Sequence, residues 1–143
     1  MEVILFVGSN PSNASADETA FHASTKSNKI LASWCKDIIG EKIYINVLDK
    51  KTEGNRPLKL KEIKSNLDRL AEDINRIAPT RIIALGKTSS TALTLLGLKF
   101  FELPHPSGCN RLLNNKEFVN EKIKELVAYC SYADCLQPIK AED

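Results

Sequence analysis

No stretch of this sequence approaches the roughly 20 consecutive apolar residues that a membrane-crossing helix requires. The opening run Met1-Glu2-Val3-Ile4-Leu5-Phe6-Val7 lacks the basic start of a secretory signal and leads into Gly8-Ser9-Asn10-Pro11, so it reads as a strand. An excess of one charge is also missing. The formal net charge is only +2, which neither demands nor excludes nucleic acid and restricts any DNA footprint to a local patch. None of the four cysteines, Cys35, Cys109, Cys130 and Cys135, forms a C-x-x-C pair, and their spacing fits neither a zinc ribbon nor an iron–sulfur cluster. Reduced thiols in a cytoplasmic setting are expected, with Cys130 and Cys135 able to pair only if the C-terminal tail bends back. The two histidines, His22 and His105, stand apart from each other, and the scattered cysteines do not complete a metal site around them. No metal and no cofactor are expected. Internal repeats, low-complexity segments and domain linkers are absent as well.

What is present fits one ordinary domain spanning residues 1–143, with 43% hydrophobic and 27% charged residues, enough to bury a core. Residues 3–7 form a short continuous apolar run, as in a strand covered on both faces. Residues 8–25 are rich in Ser, Asn, Ala and Thr and read as a long loop over one end of a sheet. Ser27 to Ile39 reads as a helix with Ile30, Leu31, Trp34 and Ile38 on one face, ended by Gly40. Lys42 to Leu48 reads as a second strand, followed by a charged connector over 49–57. Leu60, Ile63, Leu67, Leu70, Ala71, Ile74 and Ile77 recur at helical spacing and predict one amphipathic helix closed by Pro79. Arg81 to Leu85 is a third strand, Ser89 to Leu96 a helix, Lys99 to Leu103 a short fourth strand. Lys116 to Cys130 is a last helix with Phe118, Ile123, Leu126 and Val127 as its apolar face.

Alternating strands and helices predict a three-layer α/β/α fold around a central, mainly parallel four-stranded sheet. In such folds ligands bind beyond the carboxyl ends of the strands. Four polar segments follow strand ends here: Gly8-Ser9-Asn10-Pro11, Asn46, Gly86-Lys87-Thr88-Ser89 and His105-Pro106-Ser107. Their convergence on one sheet edge does not depend on any family. Gly86-Lys87-Thr88 is not a triphosphate-binding loop, because that motif needs another glycine where Arg81 stands.

Residue by residue, these segments resemble the active-site loops of the uracil-DNA glycosylase superfamily. Gly8-Ser9-Asn10-Pro11-Ser12 resembles the water-activating motif, G-Q-D-P-Y in one branch and G-I-N-P-G in the mismatch-specific branch. Phe21 falls near the aromatic that stacks on an extruded base. Asn46 is similar to the base-reading asparagine at the end of the second strand. His105-Pro106-Ser107-Gly108-Cys109-Asn110-Arg111 resembles the H-P-S-P loop and is nearest to the single-strand-selective monofunctional branch. The resemblance implies a monofunctional glycosylase that hydrolyses the N-glycosidic bond of uracil or a related base in DNA after base flipping. Asn10 and His105 would be catalytic, and Gly8, Ser9, Pro11, Ser12, Phe21 and Asn46 would hold the base. Lys87, Thr88, Ser89, Ser107, Gly108, Cys109, Asn110 and Arg111 would contact DNA, with Arg111 as plug or phosphate contact. The implied partner is DNA, single- or double-stranded, with no membrane partner, and a monomer is expected.

The chemistry asks for these groups. Breaking an N-glycosidic bond builds positive charge on the sugar. The leaving pyrimidine carries negative charge on a ring oxygen, and a donor held against it in a dry pocket lowers the barrier. His105 would be that donor. Asn10 cannot take a proton near neutral pH, but its carbonyl can orient a water. The amide of Asn46 can accept from a uracil N3–H and donate to O4. Ser12 is small where the fast branch carries Tyr, which implies tolerance of 5-substituted uracils. No lysine is placed after the first strand to attack the sugar, so no Schiff-base lyase step is expected.

Each residue alone has a plainer explanation. Gly8-Ser9-Asn10-Pro11 is a tight turn, His105 between prolines shapes a turn, and Asn46 caps one. Phe21 is then a core ring and Arg111 a solvated charge. Lys50, Lys51, Arg56, Lys59, Lys61 and Lys64 form a basic stretch, either a solvated helix face or a contact for DNA. Two other functions fit the same scaffold: a non-catalytic DNA- or protein-binding module, and a nucleoside or nucleotide hydrolase.

Overall fold

The computed structural model describes residues 2–10, 26–48, 58–106 and 111–131. The strands are β1 (Val3–Gly8), β2 (Glu41–Asn46), β3 (Arg81–Leu85) and β4 (Phe101–Leu103). All pair in parallel, in the order β2-β1-β3-β4. The helices are α1 (Lys26–Trp34), α2 (Leu60–Ser65), α3 (Leu67–Ile77), α4 (Lys87–Leu95) and α5 (Lys116–Ser131), with a short 3₁₀ helix over Arg111–Asn114.

Side chains alternate across a strand, and here both faces of the sheet are covered. Ile4, Phe6, Ile83, Leu85, Phe101 and Leu103 meet Leu31 and Trp34 of α1 and Leu126 of α5. Leu5, Val7, Ile82 and Ala84 meet Ile63 of α2, Leu70 and Ile74 of α3, and Ala92 and Leu93 of α4. The three layers and the parallel sheet agree with the sequence expectation. No helix among the described residues is long and apolar enough to cross a membrane.

The boundaries needed correction in several places. The predicted helix over Leu60–Ile77 is two helices, because the backbone at Asn66 leaves helical geometry (φ −106°, ψ 2°). The Asn66 side chain donates to the Glu62 carbonyl at 2.8 Å and Ser65 Oγ donates to the same oxygen at 3.1 Å. These local bonds compete with the helical ladder, a habit of Ser and Asn. The break also takes Leu60 out of the apolar face, leaving it 53% exposed. Helix α1 ends at Trp34 rather than Ile39. The Cys35 N–H is split between the carbonyls of Leu31 and Ala32, and Ile38 turns back to the Cys35 carbonyl at 3.0 Å. The chain must then enter β2 through Gly40 (φ +141°), where a Cβ would stand 3.0 Å from the Glu2 carbonyl. Helix α4 starts at Lys87, two residues before the predicted start, and in α5 the residue packed on the core is Val119 rather than Phe118.

At the amino end of the sheet lies a buried cation. The Arg81 side chain is fully buried at the start of β3, 3.3 Å from Glu2 Oε1. Its Nε donates to the Tyr129 carbonyl at 3.1 Å and Nη1 to the Thr80 carbonyl at 3.3 Å. The guanidinium also sits 5.9 Å from the Tyr129 ring centre. One arginine thus ties α5 to the edge opposite the strand carboxyl ends.

Cys35 is buried and Cys130 half-buried, and both are free thiols. Burial pushes the Cys35 thiol up to about 12 and the Cys130 thiol up to about 11. Thiols held this far above neutrality carry almost no thiolate and are poor nucleophiles. Cys109 and Cys135 lie outside the described residues.

Candidate active site

The order β2-β1-β3-β4 contains a topological switch. From β1 the chain moves outward to β2, then returns across β1 to reach β3. Crevices for ligands open at the carboxyl ends of the two strands flanking such a switch, here β1 and β3. Each polar segment singled out in the sequence emerges on that edge. Ser9 and Asn10 follow β1. Asn46 ends β2 and lies in register beside Gly8. Gly86 follows β3, and Pro104-His105-Pro106 follows β4. Adjacent strands lie about 4.8 Å apart, so β1 and β4, with β3 between them, stand roughly 10 Å apart.

The β1 turn is held against its neighbour. The Val47 N–H donates to the Gly8 carbonyl and the Leu48 N–H to the Ser9 carbonyl, both at 2.9 Å. This ladder carries Ser9 and Asn10 beyond the strand in fixed register. Ser9 Oγ donates to Asn10 Oδ1 at 2.9 Å, which orients the amide. An amide oxygen has two acceptor sites and can take more than one hydrogen bond.

Asn46 is a polar side chain in the interior, only 4% exposed. Its backbone is clamped from α3: Arg69 Nη2 donates to the Asn46 carbonyl at 3.0 Å and to the Val47 carbonyl as well. Arg69 is held in turn by Asp73, with Nη1 2.6 Å from Oδ2. Sequence reading missed this residue. The i,i+4 spacing to Asp73 is that of an ordinary surface ion pair, and only the fold brings the guanidinium to β2.

His105 is placed by a glycine. Gly86 caps α4 with φ +93° and ψ 178°, a conformation that L side chains rarely adopt. A Cβ there would stand 3.2 Å from the His105 Cβ. The Gly86 N–H donates to the Leu103 carbonyl at 2.9 Å, and the Gly86 carbonyl accepts from Ser90 Oγ at 3.0 Å. The absent side chain lets the β4 turn close over the start of α4. Burial lowers the His105 imidazole below its ordinary 6.5, so the ring is neutral at pH 7. A neutral imidazole still donates one N–H.

The early start of α4 revises the segment read as a polar loop. Lys87, Thr88 and Ser89 form the first turn of a helix. Lys87 is exposed and Thr88 half-buried. Ser89 is wholly buried and its Oγ donates to the Leu85 carbonyl at 3.3 Å, so its side chain is withdrawn from any surface contact with DNA. On the outer side of α4, a pocket of about 350 Å³ is lined by Lys87, Ser90, Thr91, Thr94, Leu95, Phe100 and Glu102. It shares only Lys87 with the residues expected at the strand ends. Pro11, Ser12, Phe21, Ser107, Gly108, Cys109 and Asn110 lie outside the described residues, and Arg111 opens the 3₁₀ helix. Among the described residues no group of His, Cys, Asp and Glu could hold a metal ion.

A sequence comparison decides the family. The profile of the Uracil DNA glycosylase superfamily matches residues 2–127, from the residue before β1 into α5. The chain belongs to this superfamily. The match takes in the whole sheet and each of the strand-end segments described above. No curated protein matches the chain. Membership supports DNA-glycosylase chemistry, a base-excision hydrolysis, as the general function. In this superfamily member the candidate catalytic pair comes from β1 and β4, the two strands that flank β3.

Proposed function

We propose that this protein is a monofunctional glycosylase of a single domain that releases uracil, or a related damaged or modified base, from DNA. The reading is nearest to the mismatch-specific and single-strand-selective branches of the superfamily. One observation carries it: Asn46, only 4% exposed, stands in register beside Gly8, from which the β1 turn bearing Asn10 departs. A side-chain amide at that place carries both an acceptor and a donor, the pair that a pyrimidine edge requires.

In the proposed reaction a flipped nucleotide enters between the β1 and β4 turns. Asn46 reads the pyrimidine edge, and Arg69 keeps it in place. As the bond between sugar C1′ and base N1 breaks, its electron pair leaves with the base. The neutral His105 donates its N–H to the base oxygen where that charge collects. The amino end of α4 begins beside His105, and the positive end of its dipole supports the same anion. Water held by the Asn10 carbonyl adds to C1′, and its proton leaves to the base or solvent. Asn10 orients without deprotonating, which suits attack on a sugar already cationic. Phe21 is proposed to stack on the base. Lys87, Thr88, Ser107, Gly108, Cys109, Asn110 and Arg111 are proposed to hold the flanking DNA. The protein is proposed to act in the cytoplasm as a monomer, without metal or cofactor.

A strand-cleavage assay tests this reading on single- and double-stranded oligonucleotides carrying uracil, 5-hydroxymethyluracil, thymine or hypoxanthine. Alkali-labile sites are expected at uracil, and at 5-hydroxymethyluracil because Ser12 is small. Cleavage confined to unsubstituted uracil would overturn the proposed role of Ser12. DNA binding without base release would indicate a binding module, and release from free nucleosides alone a small-molecule hydrolase.

A further inference from the structure

Three exposed lysines, Lys59, Lys61 and Lys64, take no part in the site above. They lie on or beside α2, and the topology fixes which end of the molecule they occupy. Arg69, in the first turn of α3, bonds the carbonyls of Asn46 and Val47 at the carboxyl end of β2. From there α3 runs down to the amino edge, where the Thr80 N–H reaches the Val3 carbonyl at 2.8 Å. Helix α2 ends at Ser65, so it is tied to the same edge as Asn46, Asn10 and His105. It packs on both α3 and α4, and α4 carries the exposed Lys87 at its start.

The orientation and charge of α2 are equally constrained. Ile63, only 5% exposed, anchors one face in the core. Lys61 and Lys64, three residues apart, share a side of the helix, where like charges repel by a few tenths of a kcal/mol. Glu62, whose carboxylate accepts the Lys59 N–H at 2.8 Å in capping the helix, offsets one of the three charges and leaves the segment net positive. None of the three ammonium groups is ion-paired among the described residues. The nearest exposed carboxylate in sequence, Asp68, sits on α3 beyond the Asn66 break.

We infer that α2 is a second DNA-contacting element, its lysines holding phosphates of the strand that flanks the flipped nucleotide. Together with Lys87 it makes a basic rim on one side of the site. The inference rests on the glycosylase reading. Phosphate contacts release counterions, and each contributes about 0.7 to the salt-dependence slope of affinity for single strands. An undamaged single-stranded oligonucleotide reports binding without chemistry.

The test compares wild type with the Lys59→Gln, Lys61→Gln, Lys64→Gln triple variant, measuring affinity between 50 and 200 mM salt. A Lys36→Gln, Lys124→Gln variant, altered on exposed lysines of other elements, serves as control. The slope should fall by about two for the triple variant and stay unchanged for the control. Single-turnover uracil release at saturating DNA should stay within twofold of wild type. An unchanged slope in the triple variant, with wild type still binding DNA and releasing base, would overturn the α2 contact and leave the glycosylase reading standing. An equal fall in the control would overturn it too, by showing a diffuse charge effect. Failure of the wild type to bind DNA would overturn both.

Discussion

His105 is half-buried, and the desolvation that lowers its pKa has a consequence for stability. Its pKa is lowered below 6.5 in the native state, while the unfolded chain keeps the ordinary value. Below pH 6.5 the unfolded state binds a proton that the native state does not, so stability falls with pH across that window. Above it both states are neutral and the contribution vanishes. Urea midpoints between pH 5 and 8 should therefore drop less on the acid side for His105→Gln than for wild type. Parallel curves would contradict the desolvated, neutral assignment. Gly86 is the second residue on which the site turns. Gly86→Ala forces a Cβ into a positive-φ backbone and to 3.2 Å from the His105 Cβ. We expect a loss of about 1 kcal/mol or more in stability. A fall in kcat exceeding the change in KM should accompany it, because the imidazole moves relative to the leaving base. A stable variant with wild-type kcat would show that His105 tolerates displacement.

Elements place these residues, and α3 shows how one helix serves both core and site. Leu70 and Ile74 face the sheet, while Arg69 reaches over the end of β2 to the carbonyls beside Asn46. Arg69→Met keeps the length and apolar stem but removes both donors. Base release should slow, by up to about 10²-fold if Asn46 shifts by an ångström. Discrimination between uracil and cytosine should weaken in the same variant, and single-turnover assays on paired substrates check both. The strands were legible in the sequence because short apolar runs bounded by Gly and Pro have one reading in an alternating α/β pattern. Helix breaks were less so. The apolar period runs unbroken through Asn66, and only the local bonds of Ser65 and Asn66 to the Glu62 carbonyl end α2. At the site, the candidate residues Asn10, Asn46 and His105 could be picked out as polar groups after strands. Arg69 and the closeness of Gly86 to His105 depend on contacts between distant segments, which no spacing encodes. Ser89 looked like a phosphate ligand because its sequence setting is polar, yet a helix starting at Lys87 turns it inward.

Across the whole molecule the two ends of the sheet divide the labour. At the amino end, buried Arg81 fastens α5 and Glu2 to β3. At the carboxyl end, backbone ladders and the Arg69 clamp hold polar groups that the core does not need. The proposed chemistry lies at this carboxyl end, between the β1 and β4 turns, with the proposed basic rim of α2 beside it. Single-turnover release of uracil from an oligonucleotide, compared across wild type, Asn10→Ala and His105→Gln, tests the central claim most directly. The account predicts release by the wild type, a loss on the order of 10²–10³ for His105→Gln, and a smaller but clear loss for Asn10→Ala, with both variants folded. Wild-type rates in both variants, or no release by the wild type from any uracil-containing DNA, would contradict it.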